Sequence, residues 1–487
     1  MKKTISYILT ITLLLSASCR KYLEQAPDQR TQLNSVEKVA ELLATAYPQA
    51  DFVTFTEAAS DNAADKGNGA GMVSEPVNTN PFYFRDVTER DQGSPINYWN
   101  ACYRAIAAAN QALDAISKAG NPEDYDAQKG EALVARAYVH FMLVTLFSKV
   151  YNPATATSDP GIPYVTTPEK VVFGQYERKT VAYVYEQIEK DLLEGLPLID
   201  NTSYKVPKYH FNKAAANAFA SRFYLFKQDY EKVISYANSV FPGGSIASNL
   251  RPWVTVYANL TGAEASAIYT QATETANLLL VEAPSNWARN YAVYRYGMNT
   301  NIVYSLFVYN NVTGGTWVQP LYYFGNNTDN WGILKWREHF VRSSANADIG
   351  IPYTIFPLFS AEEVLFNRAE ANIYLNNFAA VRQDLNDYAS KRIDGYSVGQ
   401  YGITNTKVTS FYGTGNLQVA YLNTLLDFKQ AEFIQEGMRW FDILRYRIPV
   451  MHTGTSGETE ILGPDDPRRL FQLPPEVRQS GIELNPR

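Results

Sequence analysis

Two acidic residues four positions apart, Glu432 and Glu436, are the strongest candidates for chemistry in this sequence. They lie in residues 425–445, where a continuous helix would place both carboxylates on one face. Two carboxylates about 5–9 Å apart are the machinery of glycoside hydrolysis. Arg439 and Arg445 lie on the same stretch, however, and adjacent arginines normally keep such acids ionised and paired. We therefore favour structural ion pairs along the helix over a catalytic pair.

The apolar residues of the same stretch have helical spacing. They recur at intervals of four, three, one and three, which is typical of a helix packed on a core. These residues are Phe433, Gly437, Trp440, Phe441 and Leu444. A glycine inside such a stripe costs about 1 kcal/mol relative to alanine. We expect another backbone to come close at Gly437, and we interpret the stretch as a structural element.

Other catalytic or metal-binding patterns are missing from the sequence. The four histidines, His140, His210, His339 and His452, are scattered without metal-ligand spacing, and no nucleophile elbow or phosphate-binding loop is present. We therefore predict no catalytic residue and no cofactor, and we assign no metal site, while a structural calcium bound by loop carboxylates stays open. A net charge of −6 without a basic cluster argues against a nucleic-acid partner.

Aromatic residues are unusually abundant. They make up 14% of the 487 residues, with 35 tyrosines and 7 tryptophans. Such residues suit helix packing, and they also suit surfaces that stack on the apolar faces of sugar rings.

The N-terminus has the pattern of a bacterial lipoprotein signal. Lys2 and Lys3 precede an apolar run at 5–15, and small residues at 16–18 lead directly to Cys19. We predict a signal peptide at 1–18, acylation of Cys19, and a lipidated tether at 19–32. The alternative is an ordinary cleaved signal followed by a chance cysteine. If Cys19 carries lipid, Cys102 has no disulfide partner in the chain and is expected to be buried on a helix.

The periodicity predicts a mainly α-helical protein. Helical patterns dominate a body at about 33–240 and 357–447, where paired segments near 220–240 and 371–389 resemble tetratricopeptide-type hairpins. Thr180 and Asn212 are expected to cap helices. Two stretches, about 52–97 and 241–357, lose this periodicity and are expected to be long irregular loops with a few short strands, including one at 302–309.

Several motifs in order resemble the SusD/RagB family of nutrient-binding outer-membrane lipoproteins. They are residues 103–110 (YRAIAAAN), 130–138 (GEALVARAY), 161–163 (GIP), 178–181 (RKTV), 369–371 (AEA), 432–442 (EFIQEGMRWFD), 473–476 (LPPE) and 485–486 (NP). The resemblance implies a single SusD-like domain over 33–487. It also implies a non-enzymatic, cell-surface protein, anchored in outer-membrane lipid through Cys19, that captures glycan and delivers it to a SusC-like TonB-dependent transporter.

Sugar recognition combines aromatic faces with amide and carboxylate groups, and both are concentrated in the two irregular stretches. The predicted ligand-binding residues are Asp61, Asn62, Tyr83, Trp287, Tyr291, Trp317, Tyr322 and Trp331. Each of these tryptophans could instead fold back on the body, as we expect for Trp99 and Trp440. Two other functions stay open: a tetratricopeptide-like scaffold that grips peptides or assembly partners and, more remotely, a glycoside hydrolase.

Overall fold

The computed structural model describes residues 33–69, 72–169, 174–319, 321–325 and 329–487. The predicted signal peptide, the tether and Cys19 lie outside the described residues. As predicted, the protein is mainly α-helical. Its helices, numbered in chain order, are α1 Val36–Leu43, α2 Val53–Ala59, α3 Pro76–Phe82, α4 Pro95–Ser117, α5 Asp126–Phe147, α6 Val181–Gly195, α7 Lys213–Lys227, α8 Tyr230–Ser239, α9 Gly262–Tyr269, α10 Trp287–Asn290, α11 Thr300–Val303, α12 Ala361–Tyr374, α13 Phe378–Ala389, α14 Val398–Tyr401, α15 Asn405–Tyr412, α16 Leu417–Glu432 and α17 Arg439–Tyr446.

Short strands form small antiparallel sheets. They are β1 Ala64–Asp65, β2 Asn277–Pro284, β3 Tyr296–Gly297, β4 Leu321–Tyr323, β5 Trp331–Ile333, β6 Glu338–Arg342, β7 Gly350–Ser360, β8 Val450–Thr453 and β9 Thr459–Leu462. The largest sheet has the order β2-β7-β6, and the pairs β1-β3, β4-β5 and β8-β9 are separate two-stranded ribbons.

Helix α5 is the centre of the helical body. Its second half is buried all round, and Cys102, on the neighbouring helix α4, is fully buried as expected. Residues Pro122–Phe147 are long and apolar enough to cross a membrane, but their most apolar window is 100% buried inside the protein. Among the described residues, this is the one segment that passes that test, and such burial is typical of a core helix.

The predicted helical hairpins are present as α7–α8 and α12–α13. Asn212 caps α7 by accepting a hydrogen bond from the Ala215 amide, and Thr180 caps α6 in the same way from Tyr183. Gln228 adopts the left-handed conformation (φ +66°) between α7 and α8, which turns the chain back. The kinship of these hairpins to tetratricopeptide repeats stays a prediction.

Two secondary-structure predictions in the irregular stretches are wrong. Residues 52–97 contain α2, α3 and the start of α4. Residues 302–309 form no strand: α11 continues into a π-helical turn at Tyr304–Val308. The helical period decides this segment, because Val303 and Phe307, four residues apart, are buried.

The predicted continuous helix at 425–445 is also wrong. Helix α16 ends at Glu432, α17 begins at Arg439, and a turn at 433–438 separates them. Gln435 (φ +65°) and Gly437 (φ +74°) take left-handed conformations that no α-helix accommodates. The expected close approach at Gly437 is confirmed, because a Cβ atom there would lie 3.0 Å from Val53 Cα and 2.5 Å from Thr56 Oγ1.

Candidate functional site

The two glutamates that suggested catalysis are buried in ion pairs. Glu432, 1% exposed, accepts hydrogen bonds from Arg392 Nε at 2.7 Å and from Tyr388 Oη at 2.9 Å. Burial by itself would raise the pKa of Glu432, but the Arg392 guanidinium outweighs burial and holds that pKa at about 2. A general acid needs a raised pKa, so this environment favours the structural interpretation.

The charged partners of this region come from distant parts of the chain. Glu436 accepts hydrogen bonds from Lys335 Nζ and Tyr269 Oη, both at 2.6 Å. Arg439 binds both carboxylate oxygens of Asp61, at 2.8 and 2.7 Å. The prediction that these charges pair mainly along one helix is therefore wrong, since the break at 433–438 turns them toward other elements.

The turn at 433–438 joins the helical body to the loop-rich stretch. Gln435 Oε1 accepts a hydrogen bond from the Ile333 amide at 3.0 Å, and its Nε2 donates to the Trp331 carbonyl at 3.1 Å. The Gln435 carbonyl accepts from Trp287 Nε1 at 3.2 Å. One side chain and its backbone therefore fix both strand β5 and helix α10.

Lys335 reinforces the same junction. Its fully buried Nζ donates to the carbonyls of Glu432 and Ile434 at the end of α16, and to the Glu436 carboxylate. A cation is stabilised at a helix C-terminus because the exposed carbonyls carry partial negative charge. The chain just after β5 is thus anchored in the core.

Trp287 and Tyr291, two predicted ligand residues, lie together in the interior. Their side chains are 3% and 4% exposed, and their ring centroids are 6.2 Å apart. Tyr291 also packs edge-on against Phe324 at 5.7 Å. Neither ring offers an open face here, so ligand contact by this pair stays a prediction that would require movement.

Trp317 is buried in a different place. It is 8% exposed and packs edge-on against Phe307, Tyr388 and Phe428. Trp99 and Trp440, expected to be packing residues, are 4% and 1% exposed.

The polar candidates from the first stretch are bound to protein groups. Asp61 pairs with Arg439, as described above. Asn62 is buried, donates to Glu57 Oε2 at 3.0 Å, and accepts from Gln430 Nε2 at 2.9 Å. Tyr83 lies in a small separate apolar cluster and donates its hydroxyl to Glu458 at 2.8 Å. In this conformation these side chains hold loops together, and their contact with ligand stays a prediction.

Tyr322 and Trp331 are the two predicted aromatic residues that keep exposed surface. They lie on the β4–β5 ribbon, where Tyr322 is 40% exposed and pairs across the ribbon with Gly332. Since directly opposed residues share a face, Tyr322 and Trp331 point to opposite faces. Trp331 is partly exposed and donates its Nε1–H to Thr300 Oγ1 at 3.0 Å.

Two further exposed tyrosines, missed in the sequence, follow Thr300. Tyr304 and Tyr309 are 43% and 64% exposed, with ring centroids 5.9 Å apart. Helical spacing at 300–308 would have revealed Tyr304, because it places Val303 and Phe307 inward and leaves Tyr304 outside. We call Tyr304, Tyr309, Tyr322 and Trp331 the aromatic rim.

A buried lysine holds the residue that precedes Trp331 of the rim. Lys66 is 9% exposed, and its Nζ donates to the Ala292 carbonyl at 2.8 Å and to Asn330 Oδ1 at 3.1 Å. Burial lowers the pKa of Lys66 to about 7, although the nearby Asp329 carboxylate acts in the opposite direction. The first irregular stretch is thereby hydrogen-bonded to the residue that precedes Trp331.

Glu57 is a buried acid beside the turn at 433–438. Burial raises its pKa to about 7, although Asn62 and the backbone amides of Gln435 and Gly437 act to lower it. Over the described ranges, no group of three or more His, Cys, Asp or Glu side chains is arranged to hold a metal ion. The arrangement can bind a ligand on aromatic surface, and its buried charges serve to position that surface.

Comparisons with known proteins agree with the resemblance. Residues 21–225 match the model of a SusD-like family described as starch-binding and associating with the outer membrane, and residues 284–466 match the SusD/RagB model of the SusD family. No curated protein matches the chain.

Solved structures share the fold at low sequence identity. A SusD superfamily protein from Bacteroides thetaiotaomicron is 18% identical with a TM-score of 0.67, and the match covers 93% of this chain and 100% of that one. A SusD superfamily protein from Bacteroides vulgatus is 19% identical with a TM-score of 0.66, covering 93% and 99%. A SusD-like carbohydrate binding protein from Bacteroides vulgatus is 18% identical with a TM-score of 0.64, covering 92% and 97%. With the two family models together spanning most of its length, this chain belongs to the SusD/RagB family.

Proposed function

We propose that this protein is a non-catalytic, glycan-binding lipoprotein of the outer membrane. It would capture oligosaccharide at the cell surface and deliver it to a SusC-like TonB-dependent transporter, with no bond made or broken. The observation that carries the proposal is the aromatic rim. Tyr322 and Trp331 lie on the β4–β5 ribbon, which Gln435 and Lys335 anchor to the core. Trp331 is in turn hydrogen-bonded to Thr300, just before the segment that carries Tyr304 and Tyr309. Family membership and the carbohydrate-binding description of a structural relative support the same conclusion.

The rim suits a weakly held, transported ligand. A pair of packed aromatic rings contributes about 0.5–1.5 kcal/mol beyond the area it buries. We take a sugar stacked on one ring to contribute a similar amount, so a few rings give modest affinity. Modest affinity permits release, which a delivery protein requires. The buried acids Glu432 and Glu436 give no support to hydrolysis.

Binding can be tested with the mature protein purified in detergent. Glycan-array binding should be followed by isothermal titration with the best oligosaccharide. The variants Tyr309→Ala and Tyr322→Ala should each weaken binding about 2- to 12-fold, as the loss of one stacked ring predicts. Tyr183→Ala is the matched control, because Tyr183 is 37% exposed but lies on α6 in the helical body.

The same preparation separates the alternatives. We expect every glycan to remain uncleaved after prolonged incubation with the protein. Release of shortened sugars would favour a hydrolase. Failure to bind any arrayed glycan, together with tight capture of peptides, would favour the tetratricopeptide-like scaffold.

Anchoring and partnership have their own tests. Cys19→Ala should abolish incorporation of labelled fatty acid and release the protein from the outer-membrane fraction. The wild-type protein should co-purify from that fraction with a TonB-dependent transporter. Purification of the acylated protein without such a transporter would contradict the delivery role while leaving glycan binding intact.

A further inference from the structure

A cleft of about 690 Å³ lies on the helical body and shares no residue with the aromatic rim. It is lined by residues at the C-terminal ends of α7, α12 and α17 and just beyond α5, together with the proline-containing segment around Asp465. All its lining residues fall outside the two irregular stretches of the sequence. Its volume is within the range of about 300–1,000 Å³ that is typical of small-molecule sites.

Tyrosines form one wall of this cleft. Tyr230 and Tyr374 stack in parallel, with ring centroids 4.5 Å apart and an interplanar angle of 6°. Tyr151 and Tyr446 also line the cleft, and all four tyrosines are partly exposed. The wall therefore combines flat apolar faces with hydroxyl groups, which is the composition that a pyranose ring requires.

The charges in the cleft are largely paired with one another. Arg445 binds the buried carboxylate of Glu370, Arg447 binds Asp465, and Lys149 binds Asp159 at 2.7 Å. The guanidinium of Arg469 donates to the carbonyls of Gly463 and Ile443. The Arg445–Glu370 pair is buried, so a charged ligand that drew either partner away would leave a buried charge unpaired, which is costly. A neutral, hydroxyl-rich ligand keeps every pair and still finds donors and acceptors.

We propose that this cleft is a second saccharide site that takes a neutral oligosaccharide of a few units. Stacking on the outer faces of the tyrosine wall would hold the sugar rings, and the paired arginines and aspartates would bind hydroxyl groups at the edge. This proposal rests on the proposed glycan-binding function. It extends that function to a separate surface, formed by the ends of helices in the body.

The test uses the mature acylated protein in detergent micelles, titrated with neutral malto-, xylo- and mannohexaose. For at least one probe, calorimetry should show two sites on the wild type. Tyr230→Ala should weaken binding at one site, and Tyr322→Ala on the aromatic rim should weaken it at the other, each by about 2- to 12-fold. Tyr374→Phe, which keeps the stacked ring and loses only its hydroxyl, should weaken the cleft site severalfold without disturbing the fold. Tyr183→Ala should bind like wild type.

Each alternative outcome has a distinct meaning. If Tyr230→Ala and Tyr374→Phe bind normally while Tyr322→Ala weakens binding, the cleft proposal is overturned and the proposed function stands. If Tyr322→Ala binds normally and Tyr230→Ala does not, the cleft is upheld and the rim is wrong. Preference of the Tyr322→Ala protein for an acidic hexasaccharide of galacturonate would overturn the proposed neutrality. Binding of none of the probes by the wild type would overturn both sites.

Discussion

Replacing Gly437 with alanine tests how the broken helix at 433–438 is held against the body. The new Cβ atom would lie 2.5 Å from Thr56 Oγ1 and 3.0 Å from Val53 Cα, both closer than packed atoms tolerate. The φ angle of +74° adds about 1–2 kcal/mol for any residue with a side chain. Overpacking adds about 1–3 kcal/mol. We therefore expect Gly437→Ala to lower the free energy of unfolding by about 2–5 kcal/mol.

A second glycine separates the two contributions. Gly243 has a similar φ of +72°, but a Cβ atom there would meet nothing within 4 Å. Gly243→Ala should therefore cost only the conformational term of about 1–2 kcal/mol. The measurement is urea denaturation of both variants, monitored by tryptophan fluorescence.

The clash itself can be relieved at its partner. Thr56→Ala removes the oxygen that the new methyl group would strike, so the double variant should recover part of the loss, as a coupling energy of at least about 0.5 kcal/mol. Equal losses for Gly437→Ala and Gly243→Ala, with no coupling to Thr56, would refute the argument that close packing against α2 holds the turn in place.

The buried acids Glu436 and Glu57 and the cap of α6 can each be tested by substitution. Glu436→Gln should lower the free energy of unfolding by about 3–5 kcal/mol, because it leaves the fully buried Lys335 without its anionic partner. Its glycan affinity should stay near that of the wild type, and a stable variant that no longer binds would contradict this division of roles. Burial raises the pKa of Glu57 from 4.5 to about 7, so the folded protein binds that proton more tightly than the unfolded chain does. The free energy of unfolding should therefore fall as pH rises from 4.5 to 7, by on the order of 3 kcal/mol. Urea denaturation of Glu57→Gln across this range should show a weaker dependence of stability on pH, and an unchanged dependence would assign it to other groups. Thr180→Ala should lower the free energy of unfolding by about 1 kcal/mol through loss of the α6 cap, whereas Thr180→Ser keeps the hydroxyl and should retain most of the cap's stabilisation. Equal denaturation midpoints for the two variants would show that the cap is unimportant.

Much of the helical framework could be predicted from the sequence. The caps at Thr180 and Asn212, the hairpins α7–α8 and α12–α13, the burial of Cys102 and the family motifs all depend on residues a few positions apart. The candidate site could be predicted only in part. Tyr322 and Trp331 keep exposed surface, whereas Trp287, Tyr291 and Trp317 are packed inside, and composition does not distinguish a tryptophan that faces solvent from one that faces the core.

The sequence by itself determined the helical class, the individual caps and hairpins, and the family resemblance, because helix periodicity and capping act over three or four residues. The tertiary structure decided where 425–445 breaks and which charges it holds. Arg439 pairs with Asp61 across 378 positions, and Arg392 pairs with Glu432 across 40. Such partners meet only when the core has assembled, because they are distant in the chain. A fully or partly buried pair is also electrostatically stronger than the same pair in water, so its strength depends on the tertiary structure.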